Sequence, residues 1–111
     1  MGGGFLQVKP ESFSQDFAAD VPKPIARFMA ISQVPVSTQA FTAKATAAAW
    51  SNKPSYAVIA KQDRMINPDL ERFMAGRAKS QTTELSGSHA LYISHAKDVA
   101  VVIESAAKAA E

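Results

Sequence analysis

A carboxylate and an imidazole offer the first chemistry in this chain: Asp63, in the polar stretch from Lys61 to Asn67, and His89, between Ser86 and Ser94. Placed side by side, an aspartate accepts the Nδ1 proton of a histidine and fixes its tautomer. It also stabilises the imidazolium formed when Nε2 takes a proton from a nucleophile. Two plainer roles compete, since Asp readily ends a turn and a histidine can simply pack within a loop. Ser88 precedes His89 directly, but neighbours in an extended segment project to opposite sides, so its hydroxyl should face away from the ring. His89, His95 and Asp98 lie close together in sequence as a possible metal set. The two histidines straddle a loop and a helix start without a zinc-type spacing, so no metal is expected, and no cofactor either.

The elements that must position Asp63 and His89 are legible around them. Pro54 precedes Ser55-Tyr56-Ala57-Val58-Ile59-Ala60, a continuous apolar run without alternation, which reads as an interior strand of a parallel sheet. Asn67 can cap a helix that starts at Pro68, with Asp69 and Glu71 at its positive end and Leu70, Phe73, Met74 and Ala78 as its buried stripe. Gln81-Thr82-Thr83-Glu84-Leu85 is β-prone but polar, as a rim strand would be. A last helix is expected from near Ala96 to Ala110, with Val99, Val102, Ile103, Ala106 and Ala110 inward and Glu104 able to pair with Lys108 on the wet side. Strand, helix, strand, helix with short connections makes a βαβα unit, whose crossover is right-handed in about 98% of cases and sets the strands parallel. The loops bearing Asp63 and His89 then emerge on one edge of the sheet, the carboxyl edge where open α/β folds place their sites.

The first half has a different grammar. Pro10, Pro22, Pro24 and Pro35 break it into short pieces. One helix is expected from Pro10 through Phe17. A second starts near Asp20, acting as a cap, with Ile25, Phe28 and Met29 on one stripe, and a third, Ala-rich one spans Ser37 to Ala49. These Phe and Met side chains read as packing stripes rather than substrate contacts.

Two stretches carry a family resemblance. Trp50 to Pro68, containing Tyr56-Ala57-Val58-Ile59-Ala60-Lys61-Gln62-Asp63 and the helix-opening Asn67-Pro68, resembles the α/β-hydrolase family where the triad acid follows a central strand. Gly87-Ser88-His89-Ala90-Leu91-Tyr92-Ile93-Ser94-His95-Ala96 through Val99 is similar to that family's histidine loop and final helix. It is most like the small esterase-like members, including methylesterases and hydroxynitrile lyases, although Ala96 stands where Pro is usual. More loosely, Phe5 to Phe41 resembles the helical cap inserted before the acid-bearing strand, through Phe17-Ala18-Ala19-Asp20 and Ser32-Gln33-Val34-Pro35-Val36. The resemblance implies that Asp63 is the triad acid, His89 the general base and His95 a supporting residue. It also implies an α/β fold: residues 1–50 as a cap segment, residues 51–111 as the C-terminal part of the hydrolase core.

The sequence contains no Gly-x-Ser-x-Gly turn, in which that family holds its nucleophile ahead of the acid and the histidine. An oxyanion hole would be missing with it, and loss of the nucleophile costs on the order of 10⁶ in rate in a well-studied protease. The expectation is an esterase-like, triad-based enzyme half that is inactive alone: a fragment or truncated gene product, or a chain completed by another that supplies the N-terminal strands. Hydroxynitrile lysis would use the same three residues. The alternative is a non-catalytic module that dimerises or binds a partner through an exposed strand edge, because a two-stranded sheet is marginal in water.

The totals narrow the remaining classes. The 111 residues are 47% hydrophobic and 20% charged, as in a soluble globular domain. The 12 Lys and Arg are scattered among 10 acidic residues without a run that could track phosphates, so no nucleic-acid partner is expected; the resemblance implies a small ester-like substrate for the complete enzyme. Cysteine is absent, which removes disulfides and thiolate ligands. No apolar stretch approaches the roughly 18 residues that span a bilayer, so no membrane partner is expected and a cytoplasmic location is the default. A myristoylation signal at Met1-Gly2 fails at Leu6, where Ser or Thr is needed. The run Gly2-Gly3-Gly4 reads instead as a flexible turn, with Met1 an internal methionine of a longer protein.

Overall fold

A computed structural model describes residues 3–111; Met1 and Gly2, on which the acylation and internal-methionine readings fall, lie outside it. The β-grammar near Pro54 folds as expected. Strand β3 (Tyr56–Ala60) pairs in parallel with β4 (Gln81–Leu85), in a register that sets Tyr56 opposite Gln81 and Ala60 opposite Leu85. Between them runs helix α4 (Pro68–Arg77), capped by the Asn67 carboxamide oxygen, which accepts from the Asp69 N–H at 2.9 Å. The helix stops in a Schellman turn: Lys79 takes φ 54°, and the Ser80 N–H reaches the Ala75 carbonyl at 2.9 Å. After β4 come a single helical turn, α5 (Leu91–Ser94), inside the stretch expected to be loop, and then helix α6 (Ala96–Ala109). Ala96 opens α6 without needing a proline.

Ahead of this unit the chain forms β1 (Phe5–Leu6), α1 (Pro10–Asp16), α2 (Lys23–Ile31), β2 (Val36–Ser37) and α3 (Thr38–Thr42). The antiparallel pair β1–β2 was not foreseen, because each strand is two residues long and carries no alternation. The Gln33 carboxamide extends the pairing, accepting from the Val8 N–H at 2.9 Å and donating to the Val8 carbonyl at 2.8 Å. Here α2 is entered through Pro22, not capped by Asp20, whose carboxylate is spent elsewhere. The Ala-rich stretch gives only the five residues of α3, capped by Ser37, then an irregular run and a 3₁₀ turn at Ala49–Ser51.

Of three expected apolar stripes, those on α2 and α4 are largely misplaced and the one on α6 is narrower than expected. On α2 the buried side chains are Ala26 and Ala30, while Ile25 and Phe28 face outward and Met29 is half-buried. On α4 the inward face is Glu71, Ala75 and Ala78, and Leu70, Phe73 and Met74 are exposed. On α6, Val99, Val102 and Ala106 are half-buried, but Ile103 and Ala110 are exposed, and Glu104 makes no ion pair with Lys108. Width explains much of this. Two strands about 4.8 Å apart form a platform barely as wide as one helix of about 10 Å, so only one narrow line of each flanking helix finds cover. Among the described residues β3 pairs on one edge only, and its expected interior position is not met.

The main core lies at the junction with the N-terminal segment. Phe13, Ala18, Val21, Ala26 and Ala30 bury themselves around Ala90 of the histidine loop, and the Ala90 N–H donates to the Phe17 carbonyl at 2.9 Å. No helix among the described residues is long and apolar enough to cross a membrane.

Candidate active site

The parallel ladder continues past its strands. The Lys61 N–H donates to the Leu85 carbonyl at 2.9 Å and the Gln62 N–H to the Gly87 carbonyl at 3.1 Å. These bonds tie the residue before Asp63 to the residue two before His89, and the two side chains meet at the carboxyl edge. His89 Nδ1 lies 2.8 Å from Asp63 Oδ2. The second carboxylate oxygen, Oδ1, accepts from the Met65 N–H at 2.8 Å and the Ile66 N–H at 3.0 Å. The Asp63 side chain is 1% exposed.

This environment decides the charge. Burial pushes the Asp63 carboxyl up, but the Ile66 N–H, the His89 ring, the Met65 N–H and the imidazolium charge together hold it below the usual aspartate value. An ionised carboxylate only accepts hydrogen bonds, so in the neutral imidazole the proton sits on Nδ1 and the lone pair on Nε2. The ring is held from the side as well: Phe17 meets it edge-on, at 4.7 Å between centroids and 62° between planes, and Phe13 stacks on Phe17. None of the hydrogen bonds among the described residues uses Nε2.

A second carboxyl group stands behind the first. Glu71, on the inward face of α4, has its Oε2 buried with no hydrogen-bond partner. Burial, then the negative charge of Asp63 and a hydrogen bond to it, raise Glu71 to about 7, against the weaker opposing pull of His89 and Arg72. A neutral Glu71 carries no charge to repel Asp63 and has an O–H to offer it. Sequence reasoning gave Glu71 only a helix-dipole role; its spacing with Ala75 and Ala78 was the available sign that it faces inward.

The other sequence candidates separate from this pair. The Ser88 hydroxyl is buried and donates to Asp20 Oδ1, so it is turned from the imidazole and committed. His95 lies 3.6 Å from Asp20 through Nε2 and 3.4 Å from Asp98 through Nδ1, away from Asp63. The grouping of His89, His95 and Asp98 as metal ligands is therefore not met. Among the described residues no three His, Cys, Asp or Glu side chains form a ligand set.

A cavity of about 830 Å³ adjoins the pair, walled mainly by Leu6, Val8, Phe13, Phe17, Met29, Phe41, Met65 and Tyr92. Neither Asp63 nor His89 lines it, but Phe17, the residue against the imidazole, and Met65, the residue whose N–H holds Asp63, do. Arg64 closes the outside of the acid loop, with its Nε 3.1 Å from Asp16 on α1.

A sequence model of the alpha/beta hydrolase family matches residues 3–102 of the chain. No curated protein and no solved structure matches it.

Proposed function

The chain belongs to the alpha/beta hydrolase family, and from that premise we propose that it carries the acid and base of an esterase-like Ser-His-Asp relay. In this reading His89 Nε2 takes the proton of a serine hydroxyl, and Asp63 holds the ring and offsets the positive charge it acquires. The single observation that carries the reading is the 2.8 Å contact between His89 Nδ1 and an Asp63 carboxylate whose other oxygen is pinned by two backbone N–H groups. That arrangement engages both carboxylate oxygens and favours the imidazole tautomer protonated on Nδ1. Residues 1–50 act as the cap, residues 51–111 as core, and the apolar chamber beneath Phe17 suits a small ester with a hydrocarbon acyl or alcohol part.

The serine comes from a Gly-x-Ser-x-Gly turn outside this sequence. Its strand would add to the open edge of β3, and its flanking elements would cover Leu70, Phe73 and Met74. A chromogenic short-chain ester tests the proposal, with the chain assayed alone and mixed with a polypeptide bearing that strand and turn. Background rates alone, and hydrolysis in the mixture that His89→Ala abolishes, are expected. Hydrolysis that survives His89→Ala removes His89 from the role of base.

The same open edge and exposed apolar residues favour a second reading, in which the chain is a non-catalytic module that dimerises or binds a partner. Size-exclusion chromatography separates monomer from dimer, and a well-behaved monomer at high concentration counts against it.

A further inference from the structure

The histidine loop is fastened from the opposite half of the sequence, through Asp20. This residue sits in the turn after α1, between Ala18 and Val21, which are both buried, so its backbone is anchored in the core. Its carboxylate reaches across to residues on either side of His89. Oδ1 accepts from the Ser88 hydroxyl, and Oδ2 accepts from the Ser94 hydroxyl at 2.7 Å. The Ser88 oxygen in turn accepts from the Ala90 N–H at 3.2 Å, so one carboxylate orders the residue before His89 and, through it, the residue after. The loop is shaped to admit the carboxylate: a Cβ on Gly87 would lie 2.8 Å from Asp20 Oδ2 and 3.0 Å from His95 Cδ2.

We infer that Asp20 is a positioning residue for the base, its carboxylate clamping Ser88 and Ser94 so that the His89 ring is held against Asp63 and Phe17. The inference rests on the reading of His89 as the base, and it adds a residue whose partners are serines rather than the imidazole. Burial disfavours charge on Asp20, but the Ser88 and Ser94 hydroxyls and the Ser88 and Asp20 backbone N–H groups outweigh it, so the acceptor is a carboxylate. A carboxylate has no proton of its own to place and can accept from both serines at once. An amide in its place keeps one acceptor and turns the other position into a donor, which Ser94, lying at the surface, can meet by rotating its hydroxyl. An alanine leaves the buried Ser88 O–H without an acceptor.

The test reads the ring and does not depend on hydrolysis. In the chain as it stands, the His89 Nδ1 proton is followed by NMR through its resonance and its exchange with solvent. Asp20→Ala is expected to speed that exchange about tenfold or more, the scale set by losing a hydrogen bond to a charged group. Asp20→Asn is expected to recover most of the protection. Ser94→Ala, which removes one surface hydroxyl and leaves the fold intact, is expected to move the signal the same way by a smaller factor, and it keeps the test open if Asp20→Ala does not fold. Wild-type exchange in folded Asp20→Ala or in Ser94→Ala overturns the inference. Failure of the hydrolytic reading shows differently, as ester turnover that persists in His89→Ala.

Discussion

Replacing Glu71 with glutamine should make the protein more stable in alkaline solution and leave it little changed in mild acid. The carboxyl titrates near 4.5 in an open chain and at about 7 in the folded protein. The folded state thus holds on to a proton that the unfolded state has released. Stability from this group is complete below about pH 4.5 and is lost as pH rises through 7. At about 1.4 kcal/mol for each tenfold change in an ionisation constant, the loss between pH 5 and pH 8 is about 2 to 3 kcal/mol. Glu71→Gln carries no charge at any pH, fits the same space and still presents N–H donors to Asp63, so it should escape that loss. Urea unfolding of both proteins at pH 5, 6, 7 and 8 measures it, and titrating groups remote from Glu71 cancel in the difference. The gap should open steadily, reaching a midpoint shift of about 1 to 2 M at pH 8 for an ordinary urea dependence. A gap that is the same at pH 5 and pH 8 would refute the idea that Glu71 is a protonated neighbour of Asp63.

Gly87→Ala should cost about 1 to 2 kcal/mol in thermal or chemical unfolding, because the new methyl must displace a carboxylate oxygen held by Ser94. Ile59, 2% exposed on β3, is the largest fully buried side chain among the described residues, and Ile59→Ala should cost about 2 to 5 kcal/mol by the same measurement. Lys79→Gly should instead stabilise by about 0.5 to 1 kcal/mol, since φ 54° at the end of α4 is a conformation that glycine takes without strain; an unchanged midpoint would count against the Schellman turn.

The pair Asp63–His89 was legible because it depends on rules that act locally and on handedness. An apolar run after Pro54, an Asn-Pro helix start and a short crossover require two parallel strands, and parallel strands bring their following loops to one edge. What stayed hidden depends on partners distant in sequence. Asp20 reads as a helix cap because Asp before a proline-opened helix often is one, and only the folded chain shows Ser88 claiming it. Glu71 reads as a dipole partner because the helix pattern gives Leu70, Phe73 and Met74 a stronger claim to the buried face. A two-stranded platform covers only the line of small residues Ala75 and Ala78, and Glu71 lies on that line.

The orientation of the imidazole is the quantity on which the hydrolytic reading turns, and ¹⁵N NMR of the neutral His89 ring measures it directly. A proton on Nδ1 with Nε2 bare, converted to the opposite tautomer in Asp63→Asn, is the result that follows from an ionised Asp63 at 2.8 Å. A wild-type ring protonated on Nε2, or one whose tautomer ignores Asp63→Asn, would contradict it.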